Sequence, residues 1–368
     1  MGREKLTLAS PRAVAVALVV LAFSAASQAG DDDWNAEALR RIASPPLGLP
    51  SLALTEQDQP DAEKIALGRK LFFDPRLSGT SSMACATCHV PAQAFTQNDR
   101  PTPKGSDGGN LRRNAPSLLN VGYEELLMRD GEAPSLQSQV LVPLFEPHEM
   151  ANPTFKGLLE RMQRLPDYQG RFERAFGAPV SVPLIGNAIA SYERSLLCGN
   201  SAFDRWHYGR EPGALSAQAQ DGFRLFIGKA GCSACHRVGV DAALFTDHGF
   251  HNTGFGFRAP TPGAGAVEDR GRQEVTHAPG DLHKFKTPTL RNVARTAPYM
   301  HDGSLQSLDE VVRYYNGGGS GGPAQDEAIR PLGLSEKEVG DLVAFLESLT
   351  GDDLDTLIED AKSETGSR

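Results

Sequence analysis

Four of the five cysteines form two Cys-x-x-Cys pairs, each followed at once by histidine: Cys85-Ala86-Thr87-Cys88-His89 and Cys232-Ser233-Ala234-Cys235-His236. Two thiols three residues apart share a helical turn, so each can form a thioether to a haem vinyl group. The adjacent imidazole is then placed to bind the iron from the same side. The rival chemistry for paired cysteines is a four-cysteine zinc site. The histidine after each pair, a repeated helix leading into each and an export signal favour two covalently bound c-type haems, with His89 and His236 as proximal ligands. The far face of each iron then decides the chemistry. An open face binds peroxide or oxygen, whereas a second strong ligand leaves only electron transfer. Cys198, after Leu196 and Leu197, reads as a small buried hydrophobe.

The elements that position these motifs come in duplicate. Gly68-Arg69-Lys70-Leu71-Phe72 precedes the first motif and Gly222-Phe223-Arg224-Leu225-Phe226 the second. The glycines are 154 residues apart and the first cysteines 147, so one module is used twice with a seven-residue insertion. Apolar spacing predicts helices over 62–72 and 217–226. Ser335 with Glu338 makes a capping box, after which Val339, Leu342, Leu346 and Leu349 repeat at helical spacing until Gly351. No series of alternating strands is visible. Gly- and Pro-rich stretches at 101–110, 254–265 and 317–323 read as long loops, of a size for a haem to hold.

At 368 residues the chain has room for two domains with proper cores. Residues 1–29 read as a secretory signal: Arg3, Lys5 and Arg12, a short apolar run from Ala13 to Phe23, and cleavage after Ala29. The rival, an uncleaved anchor, is disfavoured because the run is short for a bilayer. The division expected is 1–29 signal, 30–205 N-terminal domain, 206–351 C-terminal domain and 352–368 an acidic, mobile tail, in a soluble periplasmic protein with no stable membrane insertion. The net charge is −9, and −11 without the signal, which argues against nucleic acid and for a basic protein partner or a small neutral substrate.

The mature chain resembles the bacterial di-haem cytochrome c peroxidase superfamily, which includes the MauG-like enzymes. The resemblance rests on Leu71-Phe72-Phe73-Asp74, Arg113-Asn114-Ala115-Pro116-Ser117, Asp130-Gly131, Phe285-Lys286-Thr287-Pro288-Thr289-Leu290-Arg291-Asn292 and Ala297-Pro298-Tyr299-Met300-His301-Asp302-Gly303. It implies an all-α fold of two cytochrome c-like haem domains in tandem. The N-terminal haem handles peroxide and the C-terminal haem receives electrons. Gln139, Pro143 and Glu149 keep the family's spacing for the peroxide pocket; a carboxyl near iron can move a proton between the two oxygens, and Gln139 can donate a hydrogen bond. Many relatives close the first haem with a His from the loop after the first motif. Between Val90 and Leu126 this chain has neither His nor Met, and His148 should point away, so that face is expected open.

At the second haem the alignment of Ser307-Leu308 places Tyr315 as the far-side ligand, with Met300 as the competing reading and Tyr314 pointing off the haem. A phenolate favours ferric and higher-valent iron. The resemblance also implies a calcium ion between the domains, held by the Asn114 side chain and the carbonyls of Thr296 and Pro298. One position departs: many relatives place Trp before Asp-Gly between the haems, and here it is Arg129. A guanidinium cannot be oxidised, so rapid sharing of oxidising equivalents is doubtful. The function expected is reduction of hydrogen peroxide with electrons from a small cytochrome c or copper protein. The alternatives are peroxide-dependent oxidation of a partner protein, as by MauG, and a plain di-haem electron carrier.

Overall fold

A computed structural model describes residues 34–257, 268–322 and 324–365. The signal at 1–29 and most of the 254–265 loop lie outside them. In the first half α1 (34–43), α2 (Ala62–Phe72), α3 (Cys85–Cys88), α4 (Leu136–Phe145), α5 (Phe155–Gln163), α6 (Arg171–Phe176) and α7 (Val182–Glu193) follow one another. In the second half come α8 (Ala202–His207), α9 (Ala217–Ile227), α10 (Gln273–Thr276), α11 (Leu308–Asn316) and α12 (Glu336–Glu347), and α13 (Leu354–Thr365) follows. The helix starts are set locally. Asp61 accepts from the Lys64 N–H, Ser216 from that of Ala219, and Ser335 with Glu338 forms the expected capping box.

Each half is built on one close helix crossing. A Cβ on Gly68 of α2 would lie 1.8 Å from the Ala188 carbonyl oxygen of α7, and one on Gly222 of α9 would lie 1.9 Å from that of Asp341 on α12. Both glycines therefore mark contacts that admit no side chain. Around the first crossing Ile65, Leu71, Phe72 and Tyr192 form one core; around the second, Phe203, Phe223, Phe226 and Phe345 form another. Burial stabilises by about 1.5–3 kcal/mol for each such large side chain. The second core begins at α8, across the boundary expected at 205/206, because Phe203 is fully buried in it. The all-α expectation needs one amendment: β1 (Phe250–His251) and β2 (Phe285–Lys286) pair antiparallel.

The tail expected at 352–368 is instead helical over Leu354–Thr365, with Leu354, Leu357, Ile358 and Ala361 buried in the first core. The acidic composition conceals an i, i+3, i+4, i+7 apolar stripe. Arg69 of α2 donates to the Asp360 carbonyl at 2.5 Å, which anchors the helix. A second tie crosses between the halves. Arg291 forks onto both Asp204 carboxylate oxygens at 2.9 Å and also donates to the Gly48 carbonyl, fully out of solvent.

Candidate active site

The two histidine motifs are built alike. The His89 N–H donates to the Cys85 carbonyl and the His236 N–H to that of Cys232, both at 2.9 Å, which closes each motif into one turn. His89 Nδ1–H faces the carbonyls of Phe95 (3.2 Å) and Pro116 (3.1 Å), and His236 Nδ1–H donates to that of Phe245 (2.8 Å). Phe95 and Phe245 adopt left-handed backbone conformations (φ 56° and 53°), unusual for bulky residues and suited to aiming these carbonyls. Burial lowers the His89 imidazole to about 4 and lowers His236 as well. Both rings are thus neutral, with Nδ1–H engaged and the Nε2 lone pair left to a metal. The four motif thiols form no disulfide.

The likeness of the halves extends well beyond the motifs, at a constant offset of 172 residues. Pro116-Ser117-Leu118-Leu119-Asn120-Val121 corresponds to Pro288-Thr289-Leu290-Arg291-Asn292-Val293. The Ser117 hydroxyl donates to the Ala94 carbonyl as the Thr289 hydroxyl does to that of Leu244, and Asn120 and Asn292 are both left-handed. Ser135 caps α4 and Ser307 caps α11, so Pro143 and Tyr315, each eight residues after its cap, are equivalent. Tyr315 is half-buried, its phenol pushed well up by loss of solvent, by Tyr314 and by the Cys232 and Cys235 thiols. It therefore stands close to the second motif. The Tyr314 hydroxyl instead donates to the Thr253 carbonyl at 3.0 Å. Met300 lies in the turn before Gly303 with a left-handed backbone (φ 72°).

At the first motif Gln139 and Pro143 share α4, and Glu149 follows in the turn where the Met150 N–H meets the Pro143 carbonyl at 3.1 Å. Burial, then the neighbouring Glu146 and Glu132 charges, raise the Glu149 carboxyl to about 7. Its charge in turn helps burial push the Cys88 thiol up to about 11, so the carboxyl sits beside the motif. The Gln139 amide donates to Met128 Sδ at 3.7 Å. Met128 is a pocket residue that sequence reasoning missed. Met300, 172 residues on, is its counterpart in the second half, with a similar left-handed backbone (φ 69° and 72°) that only the structure shows. His148 points outward as expected, its Nδ1 at 2.9 Å from Asp107 Oδ2.

Of the expected calcium ligands, the Asn114 N–H donates to the His301 carbonyl at 2.7 Å, which sets Asn114 beside the segment carrying Thr296 and Pro298. Pro298 is buried and the Thr296 hydroxyl donates to Val293. The Asn114 side-chain oxygen, however, accepts from Arg129 Nη2 at 2.9 Å. Cys198 is fully buried, its thiol raised to about 12 chiefly by that burial.

The donor sets fit two haems. Each motif offers two unpaired thiols, a neutral imidazole with its Nδ1–H engaged and, nearby, an equivalent helix bearing Pro143 or Tyr315. They do not fit the zinc rival: among the described residues no four cysteines come together, and the one cluster of metal-ligating type is Cys235, Asp247 and His251. There His251 bonds Asp247 (2.9 Å) and Asp326 (2.7 Å), and the Cys235 sulfur already belongs to the second motif.

The family model for di-haem cytochrome c peroxidase matches residues 62–212, and that for cytochrome c matches 219–350. The chain is 39% identical over 289 residues to methylamine utilization protein MauG of Methylorubrum extorquens, covering 78% of each chain. It is 37% identical over 365 residues to cytochrome-c peroxidase IdrP1 of Denitromonas iodatirespirans, covering 92% of each. The crystal structure of a MauG-like protein associated with microbial copper homeostasis superposes with a TM-score of 0.74 at 33% identity, over 84% of this chain and 96% of that one. With two tandem cytochrome c-type domains and these relatives, the chain belongs to the di-haem cytochrome c peroxidase family.

Proposed function

We propose that this protein reduces hydrogen peroxide to water at the first haem site, with electrons entering through the second domain. Bound haem would supply the redox-active iron; the remainder is the work of the chain's own residues. The observation that carries the reading is Glu149, a half-buried carboxyl beside the first motif raised to about 7. Reduction consumes two electrons and two protons per peroxide and requires a proton to pass from one oxygen to the other. A carboxyl poised between its two states at neutral pH can take that proton and return it. The Gln139 amide can donate to the same oxygen. Pro143, where the second domain has Tyr315, has no ligating atom and leaves its side clear. Tyr315 would serve the second iron as an oxygen ligand.

The electron donor proposed is a small cytochrome c or copper protein met in the periplasm. The export signal supports that place, and the −9 charge of the chain favours a donor with a basic face. The similarity to MauG raises a second reading, oxidation of a partner protein. Arg129 favours the first, since a guanidinium disfavours a neighbouring positively charged radical. The test is to add peroxide to the purified ferric protein, follow the haem spectrum, and then supply reduced cytochrome c. The spectrum should change without prior reduction, cytochrome c should be oxidised, and the intact mass should equal the chain plus two haems. A mass of apoprotein plus zinc, or no oxidation of any donor, would end this reading.

A further inference from the structure

Between the two domains lies a charged arrangement that the peroxide pocket does not use. Arg129 follows Met128 in a turn whose ends are bridged, Leu127 to Ala133. Its guanidinium Nη2 donates to Asn114 Oδ1 at 2.9 Å, and Nε is enclosed with no hydrogen-bond partner among the described residues. Burial first, then nearby Arg113, lower it to about 10, so it stays protonated at neutral pH. Glu124 is the carboxylate whose charge favours it, and Glu124 also faces Lys286 and His248.

This arrangement does not fit the calcium ion that the resemblance implies. Asn114 Oδ1 is the one side-chain oxygen in that expected set; the others are main-chain carbonyls, and none is a carboxylate. A divalent ion on this oxygen would meet the Arg129 guanidinium at hydrogen-bond distance, with no ligand charge to offset it; nearby Arg113 already occupies the carboxylates of Asp130 (2.6 Å) and Asp269 (2.7 Å). The cation at the junction is already part of the chain.

Arg129 also reaches both segments that orient the iron-binding histidines. Its side chain bonds Asn114, two residues before Pro116, whose carbonyl faces His89 Nδ1–H. Its main-chain carbonyl accepts from the Lys286 N–H at 2.8 Å, two residues before Pro288, whose carbonyl bonds His236.

We propose that the guanidinium of Arg129 is the permanent cation of the interdomain junction, taking the Asn114 oxygen that calcium would use, while the main-chain carbonyl of the same residue holds the Lys286–Pro288 segment, so that the two histidine-orienting segments are joined at one residue without a metal ion. Arg129 is then a positioning residue, and the idea stands apart from the peroxide chemistry at Glu149. The test uses the full-length holoprotein, treated with chelator and dialysed, then analysed for metal and melted with and without millimolar calcium. The native protein should carry no calcium, and its Tm should not respond to calcium or chelator. Arg129→Gln should gain a Tm that rises with calcium, and Asn114→Leu added to it should remove that gain. Without calcium, Arg129→Gln should perturb the electron paramagnetic resonance signal of the first haem more than that of the second, because the main-chain bond to Lys286 remains. Stoichiometric calcium in the native protein, or a Tm that falls on chelation, would overturn the proposal even if the variant does not fold. So would an Arg129→Gln protein that folds and stays indifferent to calcium.

Discussion

A carboxyl raised to about 7 changes its charge across the range in which the protein would work, and the sign of the effect can be fixed in advance. Glu149 must be ionised to take a proton, so the peroxide reaction should quicken as pH rises through about 7 and then level off. Stopped-flow traces across pH would check this. Glu149→Gln should lose the pH step and slow the reaction by about 10²–10⁴-fold, the usual worth of a positioned proton-transfer group. At the second motif, Tyr315→Met should raise the potential and Tyr315→Phe should open the iron, while Met300→Leu should leave the spectrum nearly unchanged; redox titration distinguishes these. The histidine motifs were legible in the sequence because spacing alone defines them. Met128 and the Arg129–Asn114 bond were not, because both depend on how a turn from one stretch meets a helix or loop distant in sequence.

The two helix crossings explain why the repeat begins at a glycine. At Gly68 and Gly222 the facing carbonyl lies where a methyl would go, so Gly68→Ala or Gly222→Ala must push two helices apart. Each should destabilise by about 1–3 kcal/mol, the range for overpacking, seen as a lower chemical-denaturation midpoint. Local signals foretold α2, α9 and α12 nearly to the residue, since caps and apolar spacing act within a turn or two. The helix at Leu354–Thr365 escaped notice because Asp355, Glu359 and Asp360 dominate its composition, while its apolar stripe has meaning only against a core built some 290 residues earlier. The longer repeat, at an offset of 172, was present in the sequence too. It is carried by loops whose hydrogen bonds, not their hydrophobicity, are alike.

For the whole molecule, that last helix makes the order in sequence differ from the order in space. Leu354, Leu357, Ile358 and Ala361 complete the core formed by α1, α2 and α7, and Asp360 engages both Arg69 and Arg41. Removing residues 352–368 should therefore lower the Tm by several degrees and loosen the first domain rather than the second. Hydrogen exchange should show the loss of protection on α2 and α7, with α9 and α12 unaffected. Read as a history instead of a shape, the same feature sets a timetable. During synthesis the first Cys-x-x-Cys-His motif appears some 260 residues before the helix that finishes its domain. The second domain has its crossing helices complete by Glu347, sooner than the first has its full core. The half begun first is the half closed last, and its cysteines stay within an unfinished domain through most of the chain's elongation.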